Sequence, residues 1–347
     1  MKIDQTLFGT LDGNEVHAYT LTNNKGVSVT CLDYGCVIQK LIMPNREGKG
    51  ENIVLGFDHI DDYVEHSPYF GAIVGPVAGR IKAGEFELNG KPYHLAKNDG
   101  DNHIHGGITG FSHVIWRAEL TEGEDEVSVR FLHYASDGED GYPGNVRISV
   151  TYTLTENELS LSYEGTSDKD TILNVTNHTY FNLSGDVSRD VLDHTVQIPS
   201  DSFLELNEES LPTGQFLQVE GTPFDFRKSR KLKDGALSDH PQTVLVGNGY
   251  DHPFFLKDQH QPIILSDEES GRRITVSTDQ VGVVLYTSNQ LKGNFEIQGV
   301  KARPYLGVCL ETQGLPDAIH HSDFPSIVVK EHELYQAKTT YKFTSLI

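Results

Sequence analysis

Hydrophobic and polar positions alternate along this chain with a period of two. From Val146 it runs Val-Arg-Ile-Ser-Val-Thr-Tyr-Thr-Leu, with apolar side chains at 146, 148, 150, 152 and 154. Val127, Val129 and Phe131 alternate in the same way, and Leu159, Leu161 and Tyr163 follow. Successive strand side chains point to opposite faces, so each stretch predicts a strand with one face on a core. Asn89-Gly90, set between Phe86/Leu88 and Tyr93/Leu95, predicts a short hairpin. Asn23-Asn24-Lys25-Gly26, Asp137-Gly138 and Gly247-Asn248-Gly249 predict further turns. The helical period is thin: residues 60–65 and 229–238 each predict no more than a short helix. No βαβ alternation, fixed-period repeat or proline-rich linker divides the chain. With 33 glycines and 14 prolines available to turn short strands, the expected architecture is all-β. It is a large, mostly antiparallel sandwich with few short helices, and residues 1–347 form one domain.

Charge narrows the function. The chain has 28 basic against 50 acidic residues, a net charge of −22 with histidine neutral. Such a surface repels nucleic acid and anionic lipid, so neither is an expected partner, and a neutral small molecule suits it better than a polyanion. Cys31, Cys36 and Cys309 are odd in number and form no CxxC pair. They fit a reducing compartment and offer neither a disulfide framework nor a thiolate metal site. Met1 to Thr6 lacks the apolar stretch of a signal peptide, and no run approaches the roughly 20 apolar residues that span a bilayer. The cytoplasm is the expected location, with the protein a monomer or homodimer.

Several segments carry chemistry. Residues 174–183, Asn-Val-Thr-Asn-His-Thr-Tyr-Phe-Asn-Leu, place Asn174, Thr176, His178, Tyr180 and Asn182 on one face if extended. That face predicts a wet concave surface, or a simply exposed one. In residues 305–313, Gly307, Cys309, Glu311 and Gln313 share a face. A carboxylate beside small residues can be desolvated and become a better base near neutral pH, while an exposed strand-end glutamate is the plainer reading. Arg80 follows the small-residue stretch Gly75-Pro76-Val77-Ala78-Gly79, and its forked donors suit hydroxyls or a structural ion pair. His103 and His105, two residues apart, invite a metal reading, but no third ligand has convincing spacing. Asp251 precedes His252-Pro253, where capping a turn is its ordinary use. Trp116 is expected in the core, and His320-His321, residues 330–333 and the acidic run 122–126 at the surface.

Taken together, these segments resemble the aldose 1-epimerase family. The resemblance rests on Gly75-Pro76-Val77-Ala78-Gly79-Arg80-Ile81, Ile104-His105-Gly106-Gly107, Asp140-Gly141-Tyr142-Pro143-Gly144, Asn177-His178-Thr179-Tyr180-Phe181-Asn182-Leu183, Tyr250-Asp251-His252-Pro253-Phe254 and Leu310-Glu311-Thr312-Gln313, in that family's order. It implies a β-sandwich with an open sugar cleft and interconversion of the anomers of a free hexose such as galactose or glucose. It further implies Glu311 as general base at the anomeric hydroxyl and His178 as general acid at the ring oxygen. His105, Arg80 and Asp251 would hold sugar oxygens, Tyr180 would line the cleft, and no metal or organic cofactor is implied. Some relatives have Asn where this chain has Gly79. A hexose-phosphate epimerase on the same fold, a two-carboxylate glycoside hydrolase using Asp251 and Glu311, and a non-catalytic sugar-binding module are the alternatives.

Overall fold

A computed structural model describes residues 1–258 and 261–345. Its largest element is a nine-stranded sheet whose neighbours run Arg117–Glu122, Val127–Ala135, Val146–Leu154, Glu158–Ser167, Tyr335–Ser345, Arg272–Thr278, Ile263–Asp267, Thr195–Gln197 and Arg230–Lys231. All of these pairings are antiparallel. The alternating stretches read from the sequence form three adjacent strands of this sheet. Val127, Val129, Phe131, Val150, Tyr152, Leu159 and Leu161 are all buried in one core cluster. Trp116 joins them, donating its indole N–H to the Phe111 carbonyl at 3.0 Å.

The other half of that core comes from a six-stranded antiparallel sheet. Its order is Tyr180–Phe181, Val308–Gln313, Gly282–Tyr286, Asp251–Phe255, Ser202–Leu206 and Pro212–Gln218. Phe181, Val308, Leu310, Val283, Leu285, Phe254 and Phe203 belong to the same core cluster. The period of two then fixes the opposite face. Tyr180 pairs with Cys309, Cys309 with Tyr286, and Tyr286 with Asp251, while Glu311 pairs with Val284 and Val284 with Pro253. A one-residue slip in any of these strands would send its functional side chain into the hydrophobic core, so burial of one face enforces the register of the other.

An N-terminal five-stranded antiparallel meander, from Lys2–Leu11 to Gly50–Asn52, completes the architecture. Arg272 ties it to the nine-stranded sheet. This fully buried guanidinium donates to the carbonyls of Met43 (3.1 Å) and Leu183 (3.0 Å) and to Glu51 Oε2 (2.6 Å). Removing the guanidinium orphans those carbonyls and leaves Glu51, among the described residues, only its contact with Lys49 Nζ at 2.6 Å. Arg272→Ala is therefore expected to cost about 3–5 kcal/mol, read as a lowered urea midpoint.

Local expectations fared unevenly. The hairpin forms between Glu85–Leu88 and Lys91–His94, with Asn89 (φ 54°) and Gly90 (φ 75°) both in the left-handed region its tight turn demands. A helix covers Ile60–His66, but within 229–238 only Lys233–Ala236 is helical, and a Pro-started helix at Pro241–Leu245 was not foreseen. Residues 174–183 are not one strand. Thr176–Asn177 pairs with Ile73–Val74, and Tyr180–Phe181 pairs in the six-stranded sheet. The whole segment is buried, contrary to an exposed face: most of its polar groups are spent on core backbone, while His178 and Tyr180 line a concave cleft. Asn174 Nδ2 donates to Gly314 O, Thr176 Oγ1 to Thr312 O, and Asn182 Nδ2 to Leu306 O.

Candidate active site

The outward face of the six-stranded sheet forms the floor of a cleft of about 170 Å³. Glu311, His178, Arg80, His105, Asp251 and Tyr180 all line it. A larger groove of about 520 Å³ lies elsewhere, on the outer face of the nine-stranded sheet between Arg117, Arg130 and Arg147. None of these six residues lines it.

Glu311 is 3% exposed and His178 is 4% exposed, so the plainer readings of both as solvated groups are wrong. His178 Nε2 lies 3.5 Å from Glu311 Oε1. The His178 backbone is locked from both sides: its N–H donates to Ala72 O, and its carbonyl accepts from Gly71 N–H. Its ring stacks on Tyr180 at 5.0 Å, and its Nδ1 faces Cys309 Sγ at 3.6 Å. Burial pushes the His178 pKa down to about 4. Burial pushes Glu311 well above the usual carboxylate range, reinforced by the charge of Asp251 and opposed by Arg80. Asp251 rises to about 6, through burial, with Arg80 pulling it down and Asp99 pushing it up. Asp251 opens a strand rather than capping a turn. The two carboxylates are kept at raised affinity for protons because a low-dielectric floor disfavours two negative charges.

Arg80 enters from the other wall. Its Nε donates to Asp99 Oδ2 at 2.7 Å, which leaves the remaining guanidinium donors for the cleft. His105 approaches beside it in a left-handed backbone conformation (φ 54°). Its Nδ1 accepts from the Gly79 N–H at 3.1 Å, an arrangement that puts the ring proton on Nε2. Gly79 itself has φ 76°, and a Cβ there would meet Pro316 Cβ at 3.0 Å. Tyr180 lines the cleft with its ring, but its hydroxyl donates to Pro68 O at 2.9 Å.

The paired-histidine metal idea resolves differently from its spacing. His103 turns away, bonded to Ala96 O at 2.7 Å and Tyr142 OH at 2.6 Å. His105, His178 and Glu311 instead bring one donor atom each within 4.8 Å of one another. That is the spread of a divalent-cation site, but a His105 protonated on Nε2 can offer that nitrogen only as a hydrogen-bond donor. Two further groups at the site escaped sequence reasoning. Asp99, which orients Arg80, lies in a polar turn without any distinguishing pattern. Tyr69 is a loop aromatic whose ring meets both His105 and His178. A carboxylate and an imidazole within 3.5 Å, with donors arrayed around them, can move protons between two oxygens of one polyhydroxylated molecule.

Comparison with known proteins agrees with this geometry. The aldose 1-epimerase family model matches residues 17–342. Galactose mutarotase of Rattus norvegicus is 38% identical, covering 99% of both chains. Aldose 1-epimerase of Haemophilus influenzae is 36% identical, covering 98% of this chain and 99% of the relative. The crystal structure of galactose 1-epimerase from Lactobacillus acidophilus superposes with a TM-score of 0.89 at 30% identity, covering 100% of this chain and 99% of that one. Matches of that extent leave no part of the fold unaccounted for, and the chain belongs to the aldose 1-epimerase family.

Proposed function

We propose that this aldose 1-epimerase opens and recloses the ring of a neutral free hexose, with Glu311 and His178 as its proton-transfer pair. The observation that carries this reading is their 3.5 Å separation in a buried cleft. Ring opening takes a proton from the anomeric hydroxyl and gives one to the ring oxygen. Glu311 accepts the first and His178 supplies the second. The pair starts as carboxylate and imidazolium and ends as carboxylic acid and imidazole, holding one proton at both ends of the step. Rotation about C1–C2 of the open aldehyde presents either carbonyl face, and the reverse transfers close the other anomer. Burial lifts Glu311 and lowers His178, which favours the uncharged form of the pair, in which ring opening ends, over the ion pair in which it starts.

Arg80, His105 and Asp251 hold sugar oxygens and fix the ring so that both transfers occur without solvent rearrangement. The net charge of −22 supports a neutral substrate and argues against nucleic acid as a partner. No helix among the described residues is long and apolar enough to cross a membrane. Three buried free cysteines support the proposed cytoplasmic location, and a monomer or homodimer is proposed. Site residues drawn from Arg80 to Glu311 support treating residues 1–347 as one domain.

Polarimetry on freshly dissolved α-D-galactose and α-D-glucose tests the reading. Faster relaxation to the same final rotation supports it, the ratio of rates ranks the sugars, and no acceleration with either sinks it. The pair also dictates a pH profile. It works with one proton: a second binds to His178 near pH 4, and the last leaves at the raised value of Glu311. A bell-shaped kcat/KM is expected, with its acid limb near 4 and its alkaline limb above the ordinary carboxylate range. A rate independent of pH across both limbs would contradict it.

A further inference from the structure

Tyr69 stands on a loop with nothing in the sequence to mark it, yet it lines the cleft. Its φ is 65° and that of His105 is 54°, both in the left-handed region that non-glycine residues rarely occupy. Such conformations persist where their surroundings over-determine them, and they gather at functional sites. These two strained residues come from separate loops and meet: their rings pack edge-on at 4.7 Å. Tyr69 also stacks against His178 at 5.9 Å with 25° between the planes. One aromatic ring therefore touches both imidazoles of the site.

Its hydroxyl differs from those of several core tyrosines. Tyr180, Tyr152 and Tyr250 spend theirs on backbone carbonyls. The Tyr69 hydroxyl has no hydrogen-bond partner among the described residues, and the residue is only half-buried. Burial and the charge of Asp99 push its pKa up, so it remains a phenol that can both donate and accept. A sugar hydroxyl matches that dual capacity, where a carboxylate or an ammonium would use only half of it.

We infer that Tyr69 touches the substrate, its hydroxyl hydrogen-bonded to a hydroxyl of the hexose and its ring holding His105 and His178 in place. The inference rests on the cleft being the site of ring opening. Tyr69→Phe keeps the ring and removes the hydroxyl. KM for galactose or glucose should rise about 2–10-fold, the effect of one neutral hydrogen bond, with a smaller fall in kcat. Tyr69→Ala should lower kcat by roughly 10-fold in addition, as the imidazoles lose their support. An unchanged KM in Tyr69→Phe overturns the inference, as does a loss confined to kcat. Should Tyr69→Ala fail to fold, the phenylalanine variant alone decides. Glu311→Gln serves as the control: full activity there removes the reading of the cleft and this inference with it. An inactive Glu311→Gln beside an unaltered Tyr69→Phe removes this inference alone.

Discussion

Glu311→Gln is expected to lower kcat by about 10³-fold while leaving sugar affinity within a few-fold. The amide keeps the shape of the carboxylate but cannot accept the anomeric proton. The pair then cannot pass between its two protonation states, and only water-assisted transfer remains. The same change should stabilise the fold. Glu311 has a folded-state pKa raised above its ordinary value of 4.5. Its favourable contribution is therefore complete below that value and is lost as pH rises through the folded pKa. Glutamine carries no such loss, so the melting temperature of the variant should exceed that of the parent by an amount that grows from acid to neutral pH. A gain on the order of 1 kcal/mol, roughly 2 °C, is the scale of such trade-offs between site and stability. Unchanged turnover in the variant would remove Glu311 from the mechanism, and a melting advantage independent of pH would contradict the burial argument.

His178→Asn is expected to lower kcat by roughly 10²-fold, less than the loss of the base because water can still protonate a ring oxygen. The backbone bonds to Ala72 and Gly71 do not depend on the side chain, so the strand crossing should survive. The diagnostic readout is the pH profile. Asparagine does not titrate, so the bell should collapse to a single limb: the alkaline fall, which in the parent reflects loss of the pair's one proton, should vanish, and activity should rise with pH as Glu311 becomes the carboxylate that accepts the anomeric proton. Persistence of both limbs would mean that another group donates the proton.

Which parts of this were legible beforehand follows from how each residue signals itself. Strands with one face on the core announce themselves, because water and hydrocarbon sort alternate residues. Thus Val146–Leu154 and its neighbours, and the alternation that sets Cys309 and Glu311 apart from Val308 and Leu310, were readable. Residues 174–183 misled because a polar side chain satisfying buried backbone, as Asn174 and Asn182 do, is spelled like one facing water. Asp251 misled by composition: two residues before a proline an aspartate reads as a turn, and only its register with Tyr286 puts it on the cleft floor. Tyr69 and Asp99 gave no signal. Their positions depend on a left-handed backbone and on a loop meeting Arg80, neither of which has a local pattern.

The cleft draws its groups from Tyr69 to Glu311, with strands paired across distant parts of the chain, such as Tyr180 with Cys309. No contiguous piece of sequence holds a working constellation, and contacts so far apart form late because each must first close a long loop. Catalysis in this protein is thus a report on the last contacts to form. During refolding, recovery of anomer exchange should lag behind recovery of far-ultraviolet signal. A chain nicked at an exposed turn should keep its activity for as long as the two pieces stay associated and lose it when they part.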